Sequence, residues 1–170
     1  MAARHHKTIL AIVAVGLAVL AVKPFINPVP LLIWNASESV PVGWYFVTKR
    51  PPKVGEIAVI KPLDWVQLYA FGRGYLPQNA WLLKPIYAAH PSIICRFGSL
   101  VFVDGIRVAK ARTVDKVGRL LPVWKGCKRL GASHYFVLSK RSDSFDSRYF
   151  GPVHADQAIG IAKRLIIFGK

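Results

Sequence analysis

Two serines one residue apart, Ser37 and Ser39 in NASESVPVGWY, and one lysine, Lys84 in WLLKPIYAAH, are residue types that together can do acyl-transfer chemistry. A serine hydroxyl is a weak nucleophile until a base takes its proton. Lysine serves as that base only when neutral. At an unperturbed pKa of about 10.4, about one amine in a few thousand is neutral at pH 7. Burial among apolar side chains lowers a lysine pKa, by as much as about 3–5 units. Lys84 is the only Asp, Glu, Lys or Arg between Arg73 and Arg96, and Trp81, Leu82, Leu83, Pro85 and Ile86 flank it. A third segment, SFDSRYFGPV, sets Asp146 and Arg148 among serines and aromatics. A lysine flanked by apolar residues more often snorkels to solvent than acts as a base, so the lysine segment alone does not settle the chemistry.

Other chemistries lack their residues. There is no G-x-S-x-G elbow, no H-E-x-x-H, no phosphate-binding G-x-x-x-x-G-K-[ST] and no S-x-x-K. Acidic residues are few and scattered, which does not suit a carboxylate metal site. His90, His134 and His154 are the histidines available to a Ser-His-Asp arrangement, with no local motif in support. No metal and no cofactor is expected.

The elements that must hold these residues read as strands. GWYFVT, GEIAVIK, SLVFVDGIRVAKA and HYFVLSK are short, rich in β-branched and aromatic residues, and bounded by Gly, Pro, Asp or Lys. Asp104-Gly105 between two valine-bearing runs predicts a hairpin with a type I′ turn. Twelve prolines and thirteen glycines favour a turn-rich β domain. One helix is expected near Asp64 in LDWVQLYAFG, with Trp65, Leu68, Tyr69 and Phe71 as its apolar face. Pro85 lacks a ladder donor and predicts that the Lys84 strand lies at a sheet edge.

Ahead of this domain, residues 8–22 (TILAIVAVGLAVLAV) carry no charge. As a helix they span roughly 22 Å at about 1.5 Å per residue, short of a hydrocarbon core of about 30 Å. Lys7 and Lys23 extend the reach by snorkelling, and Arg4, His5, His6 and Lys7 place the N-terminus in the cytoplasm. A cleaved signal peptide is the rival reading. LAVLAVKP lacks a clear A-x-A and favours an uncleaved anchor. The predicted organisation is a basic tip and transmembrane helix over residues 1–23, a Pro-rich linker over 24–34, and a mainly-β extracytoplasmic domain over 35–170.

The formal charge is +16, with 24 Lys and Arg against 8 Asp and Glu, a balance that suits anionic partners. The basic residues are spread along the chain, with no block interleaved with aromatics, so direct nucleic-acid binding is not expected. A non-enzymatic basic module, tethered at the membrane and binding an anionic partner, is the alternative to an enzyme. Replacing Ser39 and Lys84 would leave such a module intact. Cys95 and Cys127 have no zinc spacing. In an extracytoplasmic domain they allow one disulfide.

The set N-x-S-x-S-x-P-x-G-x-Y after an apolar N-terminus, the isolated lysine, and the late S-F-D-S-R-Y-F-G-P-V together resemble the signal peptidase I superfamily, in particular the conjugative transfer signal peptidases. The resemblance covers nearly the whole chain in the right order. It implies a signal-peptidase-like β fold at the periplasmic face of the cytoplasmic (inner) membrane, and a pilin precursor as substrate, with cyclisation of the product in some members. It implies Ser39, two residues before Pro41, as nucleophile and Lys84 as general base. Ser37 matches a hydroxyl donor to the oxyanion, reaching it from the same side of an extended strand. Ser144 matches the serine that hydrogen-bonds the lysine, Asp146 an acid that supports the dyad, and Arg148 the partner of a nearby acid.

Overall fold

The short runs rich in β-branched and aromatic residues form strands where their composition predicts them. The computed structural model describes residues 12–13 and 30–167. β1 (Leu32–Asn35), β2 (Gly43–Thr48) and β3 (Ile57–Ile60) lead into helix α1 (Asp64–Gly72) and β4 (Leu82–Ala89). Then come β5 (Ile93–Phe97), β6 (Leu100–Val103), β7 (Ile106–Lys110), β8 (Gly126–Arg129) and β9 (His134–Val137). The short helix α2 (Ser147–Phe150), β10 (Val153–His154) and β11 (Ala158–Ile167) complete the chain. The strands form two antiparallel sheets, ordered β1-β2-β11-β3-β4-β9-β10 and β7-β6-β5-β8, so the fold is mainly β.

β2 shows why. Gly43, Tyr45 and Val47 point inward while Trp44 and Phe46 point out, as a pleat with side chains on alternate faces requires. Tyr45 and Val47 pack with Val40, Val59, Leu83 and Ala162 on one face of the large sheet. Ala58, Ile60, Leu82, Ile86, Val137 and Val153 form a second cluster. The smaller sheet docks through Ile94, Val101 and Val103 on Ala88 and Phe136. β11 closes the large sheet by running between β2 and β3. A Cβ at Gly160 there would stand 2.7 Å from the Thr48 carbonyl oxygen, so glycine is what lets the strands approach. The expected hairpin turn joins β6 to β7, with φ of 50° at Asp104 and 80° at Gly105, the left-handed pair a type I′ turn needs.

Two expectations need correction. α1 begins at Asp64, but its buried residues are Val66 and Ala70, and Trp65, Leu68 and Phe71 are exposed. Val66 and Ala70 are one turn apart and small, so they let the helix sit close to the body. Of the predicted face only Tyr69 packs, stacked on Phe145 with its hydroxyl donating to the Leu120 carbonyl. β4 is not an edge strand: it lies between β3 and β9. Pro85 fits because it faces the end of β9, which stops at Val137. The Pro85 carbonyl accepts from Leu138 N at 3.1 Å, and the missing donor falls where the ladder ends.

Cys95 in β5 stands opposite Cys127 in β8, and the two are bonded. The bond closes a loop of sequence separation 32, and a loop of that size stabilises by about 3–4 kcal/mol on the chain-entropy account. Protein from an oxidising compartment is therefore expected to resist alkylation until reduced. Reduction should then lower its unfolding free energy by that amount in urea titrations. The predicted membrane helix over residues 8–22 lies, apart from Ile12 and Val13, outside the described residues. Among the described residues no helix is long and apolar enough to cross a membrane.

Candidate active site

β4 carries Lys84 into the interior, where its side chain is 3% exposed. A lysine buried to this degree is rare unless it is partnered. Its partners are hydroxyls. Lys84 Nζ donates to Ser39 Oγ at 2.6 Å and to Ser144 Oγ at 2.6 Å, and the two hydroxyl oxygens are 3.1 Å apart. Burial pushes the Lys84 pKa down, from 10.5 to about 8. The Asp146 carboxylate works against that shift and the Arg148 guanidinium with it. At pH 7 about one amine in ten is then neutral.

Ser39 lies on the turn between β1 and β2, and side-chain bonds fix that turn. The Asn35 Nδ2 donates to the carbonyls of Ser37 at 2.7 Å, Val40 at 3.0 Å and Pro41 at 3.2 Å. Three carbonyl acceptors identify that end of the side chain as the amide nitrogen. Tyr45, buried in β2, donates its hydroxyl to the Pro41 carbonyl at 2.7 Å. Ser139 Oγ donates to the Ser39 carbonyl at 2.6 Å. Residues 36–40 are thus a bonded turn rather than an extended strand, which corrects the basis on which Ser37 was set beside Ser39. Ser37 is exposed, and its hydroxyl donates to Asn35 Oδ1 at 3.0 Å. It lines the same cleft as Ser39.

Behind the serines lies a buried ion pair. Asp146 is 0% and Arg148 2% exposed. Arg148 Nε donates to Asp146 Oδ1 at 2.7 Å and Nη2 to Oδ2 at 2.9 Å, a two-pronged geometry. Asp146 Oδ2 also accepts from Ser139 N, and Arg148 Nη2 donates to the Ser139 carbonyl. The pair therefore clamps Ser139, and Ser139 holds Ser39. Asp146 reaches the centre through Ser139 and through its charge, not by a bond to Lys84. Asn35, Tyr45 and Ser139 take part in the site although no role was assigned to them from the sequence. Asn35 stands in the quoted motif, while Ser139 is separated from Ser39 by 100 residues and carries no local signal.

The centre opens into a cleft of about 840 Å³, with Ser37, Ser39, Lys84 and Ser144 on its lining and Trp81 and Leu83 beside them. His90, His134 and His154 stand apart from it. His90 Nδ1 bonds the Leu130 carbonyl oxygen, and the rings of His134 and His154 pack edge to face with centroids 5.1 Å apart. A hydroxyl, a buried amine of lowered pKa and an adjoining cleft are the parts needed for acyl transfer without a histidine.

The chain is similar to known proteins. The "Plasmid transfer protein TraF" of Escherichia coli is 29% identical over 146 residues, covering 78% of this chain and 80% of its own length. The "Probable conjugal transfer protein TraF" of Sinorhizobium fredii is 30% identical over 145 residues, covering 79% of this chain and 76% of its own. A signal peptidase I of Enterococcus faecalis V583, solved by crystallography, aligns with 67% of this chain and 98% of its own at 15% identity. Its TM-score is 0.38, too low to bear on the fold. The family model for the signal peptidases, peptidase S26, matches residues 4–167, and the chain belongs to that family.

Proposed function

We propose that this peptidase uses Ser39 as nucleophile and Lys84 as general base, and that it processes a pilin precursor in a conjugative transfer system. One observation carries the dyad: a lysine amine with 3% of its side chain exposed, 2.6 Å from a serine hydroxyl that opens on a cleft. The relatives' names, which refer to plasmid and conjugal transfer, support the setting. The basic flank and the uncharged run over residues 8–22 support an anchor in the cytoplasmic membrane, with the catalytic domain on the periplasmic side.

The neutral Lys84 amine has one lone pair and two N–H bonds. Donation to Ser144 Oγ leaves the lone pair for the Ser39 proton. As Ser39 Oγ bonds to the carbonyl carbon of a small residue, its proton passes to Nζ. The carbonyl oxygen becomes an oxyanion, and Ser37 is the hydroxyl proposed to stabilise it after turning away from Asn35. The ammonium then protonates the leaving amine, the C–N bond breaks, and an acyl-enzyme remains. Water, or the amine of a peptide, attacks the ester. Lys84 takes the attacking group's proton and returns it to Ser39 Oγ. Water gives a cut chain; an amine on the same chain gives a ring.

Mass spectrometry of the pilin precursor, in conjugating cells carrying the wild-type protein or Ser39→Ala, tests the substrate. A shortened or cyclised pilin is expected with the wild type and the full-length precursor with the variant. The same mature pilin in both would refute the reading. Ser37→Ala should be milder, with a loss in kcat of about 10²–10³-fold, the usual effect of deleting one oxyanion donor. A Ser37→Ala enzyme at full rate would remove Ser37 from the mechanism.

A further inference from the structure

The cleft that holds Ser39 and Lys84 is also lined by Arg73, Arg112, Lys116, Arg119 and Arg141, against the carboxylates of Glu38, Asp115 and Asp143. All three carboxylates are engaged. Asp115, 7% exposed at its side chain, accepts from the backbone N–H groups of Val117 and Arg119, from the Tyr75 hydroxyl and from Arg119 Nε. Burial pushes that carboxyl up, but the bonds from Tyr75 and Arg119 outweigh it and hold it below the ordinary aspartate range. Asp143 takes Arg141 and lies 3.3 Å from Lys116 Nζ, and Glu38 lies 2.7 Å from Arg141. Pairing these groups leaves two cations over. Arg112 is exposed, and among the described residues its guanidinium has no acceptor. Arg73 has Nη1 covered with no hydrogen-bond acceptor among the described residues, its nearest carboxylate oxygen being Asp115 Oδ2 at 3.6 Å.

We propose that the cleft contains a carboxylate-binding subsite, formed by Arg112 with Arg73, that selects a polypeptide segment bearing an acidic group near the bond to be cut. The inference rests on the reading of this cleft as the place where a peptide substrate binds. The Arg112 guanidinium is open to the cleft and forms charge-assisted bonds to a carboxylate. Arg73 lies over the Tyr69 ring and shares the Asp115 carboxylate with Arg119, so these two arginines leave one positive charge in excess in the wall, where reduced access of water strengthens its field. An acidic side chain and a terminal carboxylate supply the same chemistry, and the experiment separates them.

Binding by the full-length Ser39→Ala protein in detergent tests this without depending on turnover. The probes are ten-residue alanine-serine peptides with blocked ends and one glutamate at each position in turn. Matched glutamine peptides and one glutamine peptide with a free C-terminal carboxylate complete the set. Glutamate at one or two neighbouring positions, or the free terminus, is expected to tighten binding about tenfold over the neutral match, as a charge-assisted bond does. Arg112→Gln should abolish that preference and Arg73→Gln should reduce it. Lys128→Gln, on exposed β8, should leave it intact. A preference at every position that falls equally in all three variants would reduce the effect to overall charge and overturn the subsite. So would equal binding of glutamate and glutamine peptides, no binding of any glutamate peptide, or a preference that survives Arg112→Gln in a protein whose melting temperature is unchanged. Failure of the dyad shows separately, as cleavage of precursor by Ser39→Ala.

Discussion

Lys84→Ala is expected to abolish cleavage of the precursor, with a loss of roughly 10⁴-fold or more in kcat, the scale seen when a nucleophile–base unit is broken. Without the amine, the only side-chain nitrogen bonded to Ser39 Oγ among the described residues is gone. Ser39→Ala should lose as much, and the double variant no more than either single one, because residues that act as a unit do not add. Lys84→Arg should not rescue: arginine stays charged at any working pH and cannot accept the proton. Lys84→Met separates catalysis from folding. The native state depresses the Lys84 pKa from 10.5 to about 8, so the unfolded chain binds more protons between those values. The penalty for burying the lysine is full below pH 8 and vanishes above about pH 10.5, as linkage requires. Removing the amine should therefore stabilise the protein at pH 7, by up to about 3 kcal/mol at about 1.4 per pH unit, less what Ser39 and Ser144 lose in hydrogen bonds. Urea unfolding of wild type and Lys84→Met at pH 7 and pH 10.5 checks this. The advantage of the variant should shrink as pH rises.

Arg148→Ala is expected to be the most damaging change to stability in the neighbourhood of the site. Arg148 and Asp146 are almost fully buried and doubly bonded. Removing the guanidinium leaves a buried carboxylate without its counter-charge, and also unbinds the carbonyls of Ser139 and Ser142. Breaking a buried pair from one side costs about 3–5 kcal/mol, out of a total of about 5–15 for a typical domain. The combined change Asp146→Asn with Arg148→Met should cost less than Arg148→Ala alone, since it removes both charges and keeps an acceptor for Ser139 N. Denaturant titrations of the three proteins provide the test. An Arg148→Ala protein as stable as wild type would mean that the pair is not what holds Ser139 in place.

How much of this was legible follows from the range of each interaction. β2, β3, β6, β7 and β9 are written in short local runs of β-branched and aromatic residues, and the turn at Asp104-Gly105 in two residues that tolerate positive φ. Lys84 was legible as an isolated charge in an apolar run, and Asp146 and Arg148 as neighbours two apart. The α1 face was misread because periodicity says which residues share a side, not which side meets the body: Val66 and Ala70 win because they permit close approach. Pro85 was assigned to an edge because the rule concerns its missing donor, and the end of β9 supplies an interior place where none is needed. The position of β11 between β2 and β3, and the hold of Ser139 on Ser39, are long-range pairings with no local trace. Ser37 and Ser39 were set on a strand by spacing alone, whereas Asn35 and Tyr45 tie the segment into a turn.

In the proposed mechanism a buried, neutral lysine takes the Ser39 proton. The most direct test is the titration of Lys84 itself, by NMR of protein labelled with ¹⁵N and ¹³C at lysine side chains and assigned through Lys84→Met, set beside kcat/KM measured over the same pH range. Lys84 is expected to titrate near 8. The value of kcat/KM should rise about tenfold per pH unit below that pKa and level above it, because the rate tracks the neutral amine of the free enzyme. A Lys84 that titrates near 10.5, the ordinary value for a lysine, or a rate that levels at a pH where Lys84 is still fully protonated, would contradict that mechanism.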